Sequence, residues 1–322
     1  MSSPTPAAAV DRPTWWRGLA EQALADFAAV DQDNQTAHAY SYIAGARAQL
    51  FGWEDAQVGV MLDKLRSLQN PDGGYGLGFA YDFAGNGSVN PSSTTYTVTL
   101  ADHVGPILLD GFKAGIIPFS EVKSIVTLLM STPRIVSANS PYGQCIAYSR
   151  HSNDNAAALC VHNVSAGAAR FLLDAAAAGV GAGGLAVLVV DITRRETFAY
   201  LPAARWWRYM DTPSMQDADH NSYSAESMYH LAYPIGREVA YWHMTNAPTD
   251  NAAAPIAHLR LPGLPPRPGS MSADGTTTLW CELSDQWRGE LEAFADSSSS
   301  DGRRLAQIAY YAARAWATCG GV

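Results

Sequence analysis

The sequence predicts an all-α protein, a single α/α toroid of about six helical hairpins with long loops gathered at one mouth. Three observations carry that prediction. Apolar residues recur at helical spacing in segment after segment, while the alternation expected of half-buried strands is hardly visible. Turns rich in Gly, Pro, Asn and Asp punctuate the segments. Four acidic or amide-rich joints each run straight into an amphipathic segment: Asp31-Gln-Asp-Asn-Gln-Thr-Ala-His38, Asn90-Pro-Ser-Ser-Thr-Thr-Tyr96, Asn153-Asp-Asn155 and Gln216-Asp-Ala-Asp-His-Asn-Ser-Tyr-Ser-Ala-Glu226. Such joints supply side-chain acceptors for the first free N–H groups of a helix, and negative charge there suits the helix dipole. If alternate helices line a closed ring, all four joints face one mouth.

In chain order, residues 1–13 are small, polar and rich in Pro and Ala, without the apolar run of a signal peptide. They read as a flexible tail ahead of a toroid domain over 14–322. The first helix occupies 13–30, where Leu19, Ala20, Ala23, Leu24 and Phe27 keep the helical period. A second covers 36–51 and stops at Gly52 in the manner of a C-cap, and a third runs over 53–68 through Val58, Met61, Leu62 and Leu65. Gln69-Asn-Pro-Asp-Gly-Gly74 is a tight turn, because Pro71 fixes φ and the glycine pair supplies positive φ. Residues 73–90 hold six glycines and four aromatics and read as a lid over the mouth, with Tyr81 and Asp82 pointing inward. A static loop pinned by its own rings is the alternative. Helices follow at 96–112, 120–130, 156–178 and 185–195, with a long connection at 132–153. Residues 200–215 carry Trp206, Trp207 and Tyr209, rings that are costly to expose without a partner or ligand. A shorter helical pair at 222–233 and 237–246, an excursion at 247–276 holding six prolines, and a last pair at 280–295 and 303–318 complete the chain.

The totals narrow the function classes. A net charge of −9 and a pI near 5.3, with Lys and Arg scattered, lack the positive field that a nucleic-acid surface needs. Cys145, Cys160, Cys281 and Cys319 form no CxxC pair and read as reduced, cytoplasmic thiols. The most apolar stretch, 171–192, is interrupted by Asp174, Asp191 and several glycines, so it reads as two helices and a turn rather than a membrane span. The expected partner is a small-molecule substrate, with neither nucleic acid nor a transmembrane segment involved.

Two motifs add a family resemblance. Leu68-Gln-Asn-Pro-Asp-Gly-Gly-Tyr-Gly76 followed by Pro91-Ser-Ser-Thr-Thr-Tyr96 resembles the repeat unit of the terpenoid cyclase and protein prenyltransferase superfamily, in which a Gln-x-x-Asp-Gly-Gly-aromatic-Gly turn closes one helix and a Thr-Tyr pair opens the next inner one. Segments 148–163 and 200–209 are similar to bacterial cyclase-like toroid proteins. Asp31-Gln-Asp-Asn-Gln-Thr-Ala37 is similar to the Asp-x-Asp-Asp-Thr-Ala motif of class II cyclases such as squalene-hopene cyclase, with Asn34 in place of the last Asp and Gln35 inserted; Asp217-Ala-Asp-His-Asn-Ser222 is a second imperfect copy. The resemblance implies the α/α toroid fold and an acid at the mouth. The zinc ligands of the prenyltransferases have no matching positions here.

The candidate catalytic residues are Asp219, Asp217, His220, Asp33 and Asp31. Protonating an alkene or epoxide needs a carboxylic acid kept neutral by a dry pocket and a neighbouring donor or like charge, and paired carboxylates two residues apart are such a unit. Helix capping is the competing role for each. Candidate substrate-binding residues are Tyr81, Asp82, His162, Asn163, Trp206, Trp207, Tyr209, Tyr223 and Glu226, the aromatics serving either cation–π contact with a carbocation or stacking on sugar rings. His38, His103, His162 and His220 fall one per repeat, and hydrogen-bonded histidines in a polar cavity are expected in place of a metal site. No cofactor is expected. The leading functional expectation is a cytoplasmic, terpenoid cyclase-like isomerase or lyase of natural product biosynthesis, which protonates and cyclises an isoprenoid. The alternatives are a carbohydrate-active toroid, glycosidase or polysaccharide lyase, and a non-catalytic toroid that binds a ligand or partner.

Overall fold

The computed structural model describes residues 12–30, 33–83, 85–136, 144–156, 160–185, 187–188, 191–192, 200–201, 206–207 and 301–318. They are mostly helical, as the apolar periodicity requires. Helix α1 is Arg12–Ala29, α2 is Ala37–Phe51 and α3 is Ala56–Ser67. A π-helical turn, Thr99–Val104, leads without a break into α4, Gly105–Lys113, and α5 is Phe119–Ser131. A short α6, Ser152–Ala156, precedes α7, His162–Ala177, and α8 is Gly302–Thr318.

The side-chain pairings fix the helix directions. Down α2, His38 stacks on His103 and Gly45 meets Ile107, so α2 runs parallel to the π-turn and α4. Gln35 lies against Gly302, and Tyr42 bonds to Tyr311, so α8 runs the same way. Asp102 abuts Gly167 and Gly105 meets Phe171, which adds α7 to the parallel set. The flanking helices run opposite. Arg17 near the start of α1 covers Trp316 near the end of α8, and Lys64 near the end of α3 covers Tyr40 near the start of α2. One apolar core, including Trp16, Phe27, Tyr42, Leu65, Leu108, Leu129, Leu172 and Ala309, runs through all of these helices. Helix α8 packs on both α1 and α2, which joins the last described element to the first.

The two motif pieces that carry the family resemblance are bound to each other. Thr95 Oγ1 donates to Asp72 Oδ1 at 2.7 Å and accepts from Asn70 Nδ2 at 2.9 Å, and Tyr96 N donates to Tyr75 O at 3.1 Å. A Cβ at Gly74 would overlap the Thr95 side chain, and one at Gly76 would overlap Ser92 O. The glycines are there because two backbones touch, and Gly73 supplies the positive φ of the turn, +85°. The motif is thus a clamp holding the helix that carries Asp102 against the end of α3.

Three expectations need correction, while the all-α class holds with two short hairpins beside the helices. Cys145 and Cys160 are joined as a disulfide with Cα atoms 6.0 Å apart, so these two are not reduced thiols; fifteen residues of sequence separation hid the pair. Two antiparallel hairpins exist, β1 (Arg134–Ile135) with β2 (Cys145–Ile146), and β3 (Tyr200–Leu201) with β4 (Trp206–Trp207). Strands of two residues are too short to show alternation. At two of the described joints no acid caps the helix: Thr36 Oγ1 accepts from Ala39 N at 3.3 Å to start α2, and α7 starts after Val161 with no side-chain cap. Within the 73–90 loop, both Asp82 oxygens accept backbone N–H groups of the loop itself, from Asn86 at 3.3 Å and Gly87 at 2.8 Å, so Asp82 braces the loop instead of pointing inward.

Candidate functional site

The site grows out of one irregularity in one helix. Pro106 has no N–H, so it leaves the carbonyl of Asp102, four residues back, without its helical partner, and its ring crowds that carbonyl. The backbone responds by widening into a π-turn over Thr99–Val104, in which Gly105 N–H reaches back five residues to Leu100 O. Only glycine fits at 105, since a Cβ would overlap Leu100 O and sit 2.8 Å from the Phe171 ring. The freed Asp102 carbonyl accepts from the Tyr42 hydroxyl at 3.3 Å.

The consequence is that Asp102 and His103 both face into the parallel helix set. His103 stacks on His38 with ring centroids 3.8 Å apart and planes 7° from parallel. Tyr42 stands edge-on to His38 and lies 3.0 Å from His103 Nδ1 and 3.1 Å from the Tyr311 hydroxyl. Tyr310 stacks on Tyr42 at 4.7 Å and accepts from Arg314 at 2.6 Å. Below these, Arg314 pairs with Asp110 and Arg170 with Asp174. Asp102, His103 and His38 are each half-buried among these helices.

Enclosure sets the protonation states. Desolvation pushes the Asp102 carboxyl up to about 7 against a smaller downward pull from Arg170. Neither a hydrogen bond nor an ion pair reaches that carboxyl from a described residue. Desolvation also holds His103 down to about 3, helped by the Arg303 charge, and holds His38 well below its ordinary value, helped by His103 and then Arg303. The usual order is inverted: near pH 7 the carboxyl is about half protonated while the imidazoles are neutral. Burial likewise raises the Tyr42 phenol well above its ordinary value, so it stays protonated. Among the described residues no group of three or more His, Cys, Asp or Glu is placed to hold a metal ion.

The residues singled out from the sequence fall elsewhere. Asp33 is 89% exposed and pairs with Lys64 at 3.0 Å, without the dry surroundings an alkene-protonating acid needs. Tyr81 is at the surface, edge-on to Phe79 and bridged through its backbone to Asn90. His162 is buried in the first turn of α7, Asn163 follows it, and Trp206 and Trp207 form β4. Asp31, Tyr209, Asp217, Asp219, His220, Tyr223 and Glu226 lie outside the described residues. Of the four repeat histidines, His38 and His103 do meet, at one depth. Asp102 was missed in the sequence, although an Asp-His pair inside an apolar helix one turn ahead of a Gly-Pro was there to find it. No family model, curated protein or solved structure matches the chain.

Proposed function

We propose that this chain is an acid–base enzyme of the isomerase or cyclase type, acting on an isoprenoid or similar hydrocarbon, in which Asp102 delivers the initiating proton. The single observation that carries this reading is the Asp102 carboxyl, which receives no hydrogen bond or ion pair from a described residue and is pushed up to about 7 by desolvation. Such a group still carries its proton about half of the time near pH 7 and, once it has given that proton away, is a counter-charge to the cation it has made. The rings of Tyr42, Tyr310 and Tyr311 form part of the same enclosure and suit a transient cation. Arg314 and Arg170 each have a carboxylate partner, while the Arg303 charge bears on both imidazoles.

The architecture proposed with it is an α/α toroid in which α2, the π-turn with α4, α7 and α8 are the inner helices, and α1, α3 and α5 the outer ones. The parallel run of the first set, the opposite run of the second, and the packing of α8 on α1 and α2 support closure over an open solenoid. The test is incubation of the purified protein with squalene, polyprenyl diphosphates and prenylated aromatics. Conversion of one of them is expected, falling at least ~100-fold in Asp102→Asn, the scale on which an essential general acid acts. Unchanged substrate across the panel, or full activity in Asp102→Asn, contradicts the reading.

A further inference from the structure

Three stretches of the chain hang on one short segment, and a single covalent bond closes that segment. Residues 145–150 pair on one side with 133–135, where β2 meets β1 and Ala147 N donates to Pro133 O at 2.9 Å. On another side they pair with 95–97: Thr97 N donates to Tyr148 O at 2.9 Å, Thr97 Oγ1 to Ala147 O at 2.6 Å, and Arg150 N to Thr95 O at 3.1 Å. The far end of the 73–90 loop is the third. Phe83 stacks on Tyr148 at 4.0 Å, Asn90 Nδ2 donates to both oxygens of Asp154 at 2.9 Å, and Ser149 Oγ donates to Asp154 Oδ2. Asn90, Ser149 and Asp154 are all buried, so these bonds are shielded from solvent. Cys145 opens the segment, Cys160 lies two residues ahead of α7, and their disulfide closes it. We infer that the Cys145–Cys160 bond is a redox latch: oxidised, it holds the 81–90 end of the loop and residues 95–97 in place, and reduced, it lets both loosen while the helices stay packed.

Among the described residues of the segment, regular structure amounts to the two residues of β2 and the five of α6, and neither element is stable by itself. Its order therefore leans on the cross-link, which removes the many open arrangements the segment would otherwise sample. The bond sits in a small apolar cluster of its own, Ile135, Cys145, Ala147 and Cys160, apart from the core that runs through the helices. Breaking it frees the segment without opening that core. Residues 95–97 lead directly into the π-turn that carries Asp102, so the latch bears on the candidate site whatever chemistry that site performs. The reductant is a dithiol. Its first thiolate attacks one cysteine sulfur and the S–S bond breaks; its second thiol then displaces that cysteine from the mixed disulfide. Two protons and two electrons pass to the protein, which is left with two thiols, and the reductant leaves as its own disulfide. Both cysteines are fully buried, so attack waits on local opening, and the latch answers a sustained change in thiol conditions rather than a brief one.

Hydrogen exchange on the full-length protein decides the matter, read with and without excess dithiothreitol, with peptide mapping of alkylated cysteines to establish that Cys145 and Cys160 have been reduced. The amides of Tyr81, Asn90, Thr97 and Arg150 should exchange at least ~10-fold faster in the reduced protein, while those of α2 and α3 keep their rates. Cys145→Ser combined with Cys160→Ser should reproduce that pattern without reductant. Asp154→Ala, with the disulfide intact, should free Tyr81 and Asn90 and leave Thr97 and Arg150 protected, since only the first pair is tied through Asp154. A bond that resists the reductant in the folded protein overturns the inference, and so does equal protection of the four amides in both redox states. Loss of protection through α2 and α3 as well, in the reduced protein or the double variant, overturns it too, because the bond would then staple the whole fold. Asn90 still protected in Asp154→Ala would mean that other contacts hold the loop, which removes it from the latch.

Discussion

At the residue scale, the inverted protonation of Asp102 and His103 leaves a signature in stability. Asp102 titrates near 7 in the folded protein and near 3.8 when unfolded, so the unfolded state gives up its proton first and the fold loses stability as pH rises between these values. The loss is absent below about pH 4 and complete above about pH 7, where it amounts to about 4 kcal/mol. His103 works in the opposite sense: its folded value near 3 lies below the unfolded 6.5, so its contribution is present above 6.5 and fades as pH falls toward 3. The two oppose each other across the acid range. Asp102→Asn should therefore gain stability over the native protein progressively from pH 4 to pH 7, by about 2–4 kcal/mol at the upper end, in urea titrations at a series of pH values. A gain independent of pH contradicts the raised carboxyl. Gly167→Ala tests the packing around the acid, because a Cβ there would overlap Asp102 Oδ1, the free end of a side chain. The carboxyl should swing aside, costing activity at least ~100-fold but stability only about 1 kcal/mol. Little of this was legible in the sequence. Acid pairs at helix starts draw the eye because that pattern is local, whereas Asp102 gains its character from residues on α2 and α7, far off in sequence, and those contacts have no signature in spacing.

At the element scale, the helices were readable and their irregularity was not. Apolar period, Gly52 and the Asn-Pro-Asp-Gly-Gly turn locate α1 to α5 to within a few residues, because each boundary is set by chemistry next to it. The resemblance to the cyclase repeat likewise translates into contacts between Asp72, Asn70, Gly74 and Thr95. The π-turn needed one further step, from Pro106 to the carbonyl it abandons. Pro106→Ala should restore the missing N–H, let Asp102 O return to a helical bond and strip Tyr42 of its acceptor. The expected result is a protein at least as stable as the native one by thermal melting, with turnover down tenfold or more. A variant as active as the native protein would show that the π-turn plays no part in the site.

At the scale of the whole molecule, α8 ties the chain together. Its Tyr310 and Tyr311 reach Tyr42, its Arg314 reaches Asp110, and it lies against both α1 and α2. Periodicity made α8 visible as a helix, but only the fold shows that it packs against the first hairpin. Native-state hydrogen exchange should find α8 opening with α2 at one common free energy, and Tyr310→Ala should lower that value for both by about 3–5 kcal/mol. Exchange in α8 alone at much lower cost would mean an open, fraying end and no closed ring.

The proposed chemistry depends on the protonation of one side chain, and that can be observed directly. With 13C-aspartate labelling, the carboxyl resonance that disappears in Asp102→Asn should titrate with a midpoint near pH 7, well above the other aspartates. A midpoint near pH 4 for that resonance would mean that Asp102 is an ordinary carboxylate at neutral pH, with no proton to give.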